Sequence, residues 1–321
     1  MLPAHQFDDF VQRPKQSLGV LRLMKDYFKL HFIVLLWGFT AILGKLLTVP
    51  PVELVFWRTG LAALGLAGLL LARGLPVRVE KAAALRLLGV GVLVAAHWIT
   101  FFLAARLSSV SVCLAGLATL ALWTSLLEPL LLRRPVRGYE VGLGLLTMLG
   151  LWLVARAEFD QLLGLGVAVL SAGLSALFSI FNSQLVKTQP PLRLTFYEML
   201  GACASIVAFL PVYSHFFTEG RGLRLAWHGL DWLWLGLLAG VCTVYAFSTS
   251  VELMKRLSPF AVNLTINLEP VYGIGLAAGL FLLGVPGFGS EQMTGGFYLG
   301  TGLIVVSVLI HPLVEARLRK T

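Results

Sequence analysis

Apolar residues along this chain come in blocks of about twenty, separated by stretches that hold most of the Lys, Arg, Asp and Glu. At 1.5 Å per residue, a block of that length makes a helix of about 30 Å, the thickness of bilayer hydrocarbon. The pattern predicts membrane-crossing helices at residues 31–49, 54–72, 85–105, 109–132, 138–156, 163–186, 192–213, 232–254, 259–284 and 294–312. The blocks are continuously apolar and rich in Leu, Ala and Gly, without the alternation of a transmembrane β-barrel. The expected fold class is an all-α polytopic membrane protein, ten transmembrane helices arranged as two inverted five-helix repeats.

The duplication is visible in the letters. Pro51-Val52-Glu53-Leu54-Val55-Phe56-Trp57-Arg58 returns 140 positions later as Pro191-Leu192-Arg193-Leu194-Thr195-Phe196-Tyr197-Glu198, and Arg106-Leu107-Ser108-Ser109 returns as Arg256-Leu257-Ser258-Pro259. Five crossings per copy force the halves into opposite orientations, the plan by which many secondary carriers build a mid-membrane site. The expected organisation is a basic cytoplasmic tail at 1–26, repeats at 27–156 and 162–313, and a second cytoplasmic tail at 314–321.

Composition and charge agree with a membrane chain. Hydrophobic residues make up 58% and charged residues 13%, with a mean hydropathy of +0.85; a typical soluble domain has roughly 25% charged residues. The net charge of +9 is no nucleic-acid footprint, because the basic residues sit in short loops on alternate sides. With the N-terminus cytoplasmic, 19 fall on the inner face and four on the outer, leaving Lys45 and Arg58 inside spans. That asymmetry places the protein in the cell (inner or plasma) membrane with both termini cytoplasmic. Cys113, Cys203 and Cys242 all fall in spans and form neither a disulfide framework nor a metal site. The first 26 residues read as disordered tail, with a short interfacial helix through Leu18, Leu21, Met24 and Phe28 as the other reading, and Met24 is a second candidate start.

Polar residues inside the blocks are the candidate chemistry, since each costs free energy there. Glu269 lies about ten residues into the ninth block, followed by Pro270, which should kink the helix by removing a donor to the Ile266 carbonyl. Asn263 and Asn267 share one face at i and i+4, with Glu269 angled away. These three read as cavity lining for a polar solute, with Glu269 protonatable. His97, midway along the third block, either titrates during transport or bonds across a helix interface. Trp37, Trp98 and Tyr245 are the aromatics placed deeply enough to stack on a solute. Arg58 and Glu198 occupy equivalent positions and read as gating or coupling groups at opposite mouths, with snorkelling the simpler reading for Arg58. The pairs Gly236/Gly240, Gly275/Gly279 and Gly296/Gly300 suggest close helix packing. His215 and His228 in the outer loop 214–231 read as solvated.

Leu36-Trp37-Gly38 in the first block, Phe56-Trp57-Arg58 opening the second and Leu268-Glu269-Pro270-Val271 in the ninth resemble the drug/metabolite transporter superfamily, in the branch with two EamA repeats. The resemblance implies a ten-helix basket around a central cavity that moves small organic solutes such as amino acids. The chain departs from the family pattern at Leu120, where a proline is common, and at Arg133-Arg134-Pro135, where Gly-Glu usually closes the helix. The expected function is a secondary transporter, an exporter or exchanger working by alternating access. Its partners are a small-molecule substrate, the lipid bilayer and a proton as candidate coupling ion, with no nucleic acid. No cofactor and no metal are expected. The chain has no phosphate-binding P-loop and no HExxH or GxSxG, so an intramembrane enzyme or a non-transporting scaffold is the alternative.

Overall fold

The computed structural model describes residues 4–157, 159–218, 222–284 and 294–318, and every regular element among them is helical. The first half supplies α1 (Ala4–Leu46), α2 (Pro51–Ala72), α3 (Lys81–Leu107), α4 (Val110–Leu117), α5 (Leu120–Leu132) and α6 (Gly138–Ala157). After a 3-10 turn at Phe159–Gln161 come α7 (Leu162–Leu185), α8 (Pro191–Phe217) and α9 (Asp231–Ala239). A π-helical turn, Gly240–Tyr245, leads into α10 (Ala246–Leu253); α11 (Pro259–Ile266), α12 (Glu269–Leu282) and α13 (Gly295–Leu318) follow. Seven stretches among the described residues are long and apolar enough to cross a bilayer: Arg22–Leu46, Pro51–Ala72, Lys81–Leu107, Val110–Leu132, Phe159–Leu185, Pro191–Phe217 and Asp231–Leu253. Shorter apolar helices cover Gly138–Val154 and Gly295–Ser307.

The chain before Met24 is helical from Ala4 and continues without interruption into the first span, so the expectation of a disordered tail is corrected.

The blocks expected at 109–132 and 259–284 are each broken, and in the same way. Ser109 Oγ accepts the Val112 amide at 3.0 Å to start α4, and Ser258 Oγ accepts the Ala261 amide at 3.1 Å to start α11. This N-capping makes Ser109 and Ser258 the equivalent pair, one residue away from the match of Ser109 with Pro259 read from the letters. Each helix then runs eight residues and stops. In the second half the cause is Pro270, which has no amide to offer the Ile266 carbonyl. At the first-half break no proline follows: Pro129 lies ten residues further on, inside α5. There the Gly116 carbonyl, which an unbroken helix would pair with the amide of Leu120, takes the amide and hydroxyl of Thr119 at 3.2 and 2.8 Å. The Leu268 amide makes the equivalent tight turn onto the Thr265 carbonyl at 3.0 Å.

The two halves interlock through matching elements: α2 packs on α8, α6 on α13, and the broken pair α4–α5 on α12 and α11. Beyond these matching pairs, α3 lies on α7 and α8, and α1 lies on α12 and more lightly on α10. One apolar core runs through these helices, and a smaller one joins α4, α6, α7 and α13 around Val154 and Phe297. The α6–α13 crossing is a backbone contact. A Cβ on Gly150 would lie 2.5 Å from the Gly300 carbonyl oxygen, and one on Gly300 would strike the Gly150 carbonyl in return. The Thr147 and Ser307 hydroxyls, 3.0 Å apart, close the same interface. By contrast, a Cβ placed on Gly236, Gly240, Gly275 or Gly279 would meet nothing within 4 Å, so those two pairs are not packing motifs among the described residues.

Candidate solute cavity

Where the broken helices meet, α1, α2, α3, α7 and α10 complete the wall of a cavity with about 660 Å³ of space free of protein atoms, part of it continuous with the outside. Its polar lining comes from Thr40, Arg58, His97, Ser175, Ser179, Asn182, Ser250, Asn263 and Glu269; Trp37, Trp98, Phe101, Phe178 and Phe247 supply the aromatic surface.

Arg58 is 2% exposed and does not snorkel. Its Nε donates to Thr243 Oγ1 at 2.9 Å, and its guanidinium carbon sits 3.7 Å above the centre of the Trp98 ring, a cation–π contact. Thr243 belongs to the π turn and donates in its own right to the Leu238 carbonyl at 2.8 Å. The same turn presents the Cys242 carbonyl, which accepts from Trp37 Nε1 at 3.0 Å. A π turn thus holds two wall residues from the other half of the chain, in keeping with the frequency of such turns at functional sites.

Glu269, 4% exposed, opens α12 and faces the same cavity. No ion pair forms between it and Arg58 within 4 Å, although each feels the other's field. The expected angling of Glu269 away from Asn263 is corrected: the break at Asn267–Leu268 lets both line the cavity. Asn263 spans the crossing of the broken helices, donating from Nδ2 to Thr124 Oγ1 at 2.8 Å and accepting from Ser179 Oγ at 2.9 Å. Asn267 falls in the break and does not share that face. It is buried off the cavity with both amide atoms unpartnered, and Ile266 takes its place in the wall.

His97 is oriented from α7. Its Nδ1 lies 3.0 Å from the Ser171 carbonyl oxygen, which can only accept, so Nδ1 carries the hydrogen. Ser171 Oγ donates to the His97 carbonyl at 2.9 Å and faces the same Nδ1 at 2.8 Å. Nε2 is left for the cavity. Tyr245 lies elsewhere: it is 46% exposed, and its ring meets Phe32 edge-on at 6.3 Å, so its expected place in the site is corrected. Glu198 is fully buried and not part of the wall.

Sequence reasoning passed over the α7 contribution. Ser171, Ser175 and Ser179 recur at i+4 and Asn182 follows one further turn on, a polar stripe along an otherwise apolar span. That periodicity was the available signal.

Among known proteins, the profile of the EamA-like transporter family matches residues 27–156 and again residues 162–311. No curated protein matches the sequence. A solved crystal structure of another protein is similar with a TM-score of 0.63 over 90% of this chain and 97% of its own, at 19% identity, a likeness of fold.

Proposed function

Because the chain belongs to the EamA-like transporter family and is a multi-pass membrane protein, we propose that it moves a small zwitterionic metabolite such as an amino acid across the cell membrane, as an exporter or exchanger. In this reading the seven long spans are joined by α6, by α13 and by the broken α11–α12 as three more crossings, ten in all, in two oppositely oriented sets of five. The 19-to-4 distribution of basic residues supports cytoplasmic termini.

One observation carries the solute class. Arg58 from the first half and Glu269 from the second line a single cavity as a buried guanidinium and a buried carboxyl group, with no contact of 4 Å or less between them. A molecule bearing a carboxylate and an ammonium would satisfy both, and the aromatic wall would take its apolar part. A bound zwitterion would tie the two halves together, and their rocking would open it to either side.

The test is reconstitution in liposomes loaded with unlabelled amino acids, followed by exchange against a radiolabelled amino-acid mixture. Exchange that disappears in Arg58→Ala and Glu269→Gln, both still folded and inserted, supports the proposal. Chemical turnover without flux, or no exchange by the wild-type protein, overturns it.

A further inference from the structure

Among the described buried acids outside the cavity wall, one has no hydrogen-bond partner on either carboxyl oxygen. This is Glu198, on α8, and it is fully buried. The Asn182 side chain of α7 reaches its neighbourhood and is itself fully buried with both amide atoms unpartnered. Thr195, one turn earlier on α8, has a buried and unpartnered hydroxyl. Asn182 also belongs to the cavity wall, so it connects the acid to the solute's chamber.

The surroundings bring no compensating charge. At this point α3 crosses α8 in backbone contact: a Cβ on Gly201 would lie 2.7 Å from Leu88 Cα, and one on Gly91 would strike the Glu198 carbonyl. On the elements packed against α8, Arg58 is held by Thr243 and Trp98, His97 by Ser171, Glu53 by the Arg224 amide, and Arg106 by the Leu47 and Val49 carbonyls. Lys81, Arg86 and Glu252 are exposed, and Arg193 on α8 itself binds the Pro76 carbonyl. None of them acts on Glu198. A bare carboxylate in such a place would keep neither water nor a cation, whereas the neutral acid can both donate and accept.

We propose that Glu198 and Asn182 form a proton-binding site, distinct from the Arg58–Glu269 pair, through which solute movement is coupled to proton movement. The coupling rests on the carrier reading above; the proton site does not. The step is an acid dissociation with no change of electrons. The Glu198 O–H bond breaks towards water entering along Asn182, and the carboxylate left behind accepts from the Asn182 amide. Asn182 is the positioning residue.

The test uses the full chain in lipid vesicles and infrared spectroscopy at neutral pH, which needs no solute. The wild-type protein should show the carbonyl stretch of a protonated carboxylic acid. Measured in a Glu269→Gln background, so that the cavity acid does not contribute, that band should vanish when Glu198→Gln is added and shift in frequency when Asn182→Leu is added, a variant that keeps the acid and serves if Glu198→Gln fails to fold. Absence of the band from the Glu269→Gln protein, its survival on adding Glu198→Gln, or an unmoved band on adding Asn182→Leu overturns the site. In flux, Glu198→Gln should exchange a radiolabelled amino-acid mixture at equal pH but lose at least about tenfold of its accumulation driven by a pH gradient. Wild-type protein without any exchange would sink the carrier reading alone. Accumulation driven by sodium, or unchanged proton-driven accumulation in Glu198→Gln, would sink the coupling alone.

Discussion

Asn263 donates to Thr124 across the crossing of the two broken helices, 2.8 Å from nitrogen to oxygen and 139 residues apart in the chain. Both residues are buried, and the Asn263 oxygen is taken by Ser179 of a third helix. Thr124→Val keeps the shape but leaves a buried amide hydrogen without an acceptor, a loss of about 1–3 kcal/mol. Thermal unfolding in detergent should show it. An unchanged midpoint would mean that the bond contributes nothing to holding the halves together.

Arg58→Lys should fail despite the conserved charge. Lysine has no Nε–H positioned for Thr243 and no flat guanidinium to lie on Trp98. Losing a desolvated cation–π contact of about 2 kcal/mol predicts a comparable loss in thermal unfolding, and loss of the held guanidinium predicts weaker solute affinity in exchange assays. Near-normal affinity in the lysine variant would reduce Arg58 to a point charge.

His97 should carry its hydrogen on Nδ1. Nitrogen-15 NMR of protein labelled at histidine can read the tautomer directly, and a ring protonated on Nε2 alone would contradict the contacts to Ser171.

Glycine substitutions should separate two classes. Gly150→Val or Gly300→Val pushes side-chain atoms into the facing backbone and should cost about 1–3 kcal/mol or more by overpacking. Gly275→Ala and Gly279→Ala meet open space among the described residues and should raise stability by about 0.5–1 kcal/mol each, as alanine does in a helix. Thermal unfolding distinguishes them.

Asp26 and Arg256 fasten the start of the first span to the turn after α10, with two bonds of 2.6 and 2.8 Å. The Asp26 carboxylate holds the Arg256 guanidinium in its charged form, further above its ordinary range. A double-mutant cycle with Asp26→Asn and Arg256→Gln should give a coupling of about 0.5–1 kcal/mol for this partly exposed pair. Additive effects would show that it is no fastening.

The spans were legible because a bilayer leaves so few solutions: an apolar block of sufficient length is a helix wherever it lies. Within them, legibility depended on local chemistry. Pro270 announced the break before Glu269, but the break before Leu120, where the Thr119 amide and hydroxyl take the Gly116 carbonyl, has no letter pattern to mark it. Asn267 was misplaced by the same assumption of a continuous helix, and Tyr245 by an assumed α-helical register. His97, Arg58 and Trp37 could be found as polar or aromatic residues out of place in hydrocarbon, whereas their partners Ser171, Thr243 and Cys242 are too ordinary to stand out.

The wide turn at Gly240–Tyr245 amounts to one extra residue accommodated in a helix, and an extra residue rotates everything after it by about 100°. That offset brings Phe247, Ser250 and Val251 to the wall and leaves Tyr245 outside it. Removing a single residue from this turn would therefore exchange one set of side chains for another without altering the rest of the helix. Which side chains line the cavity is set at that point by helix length alone.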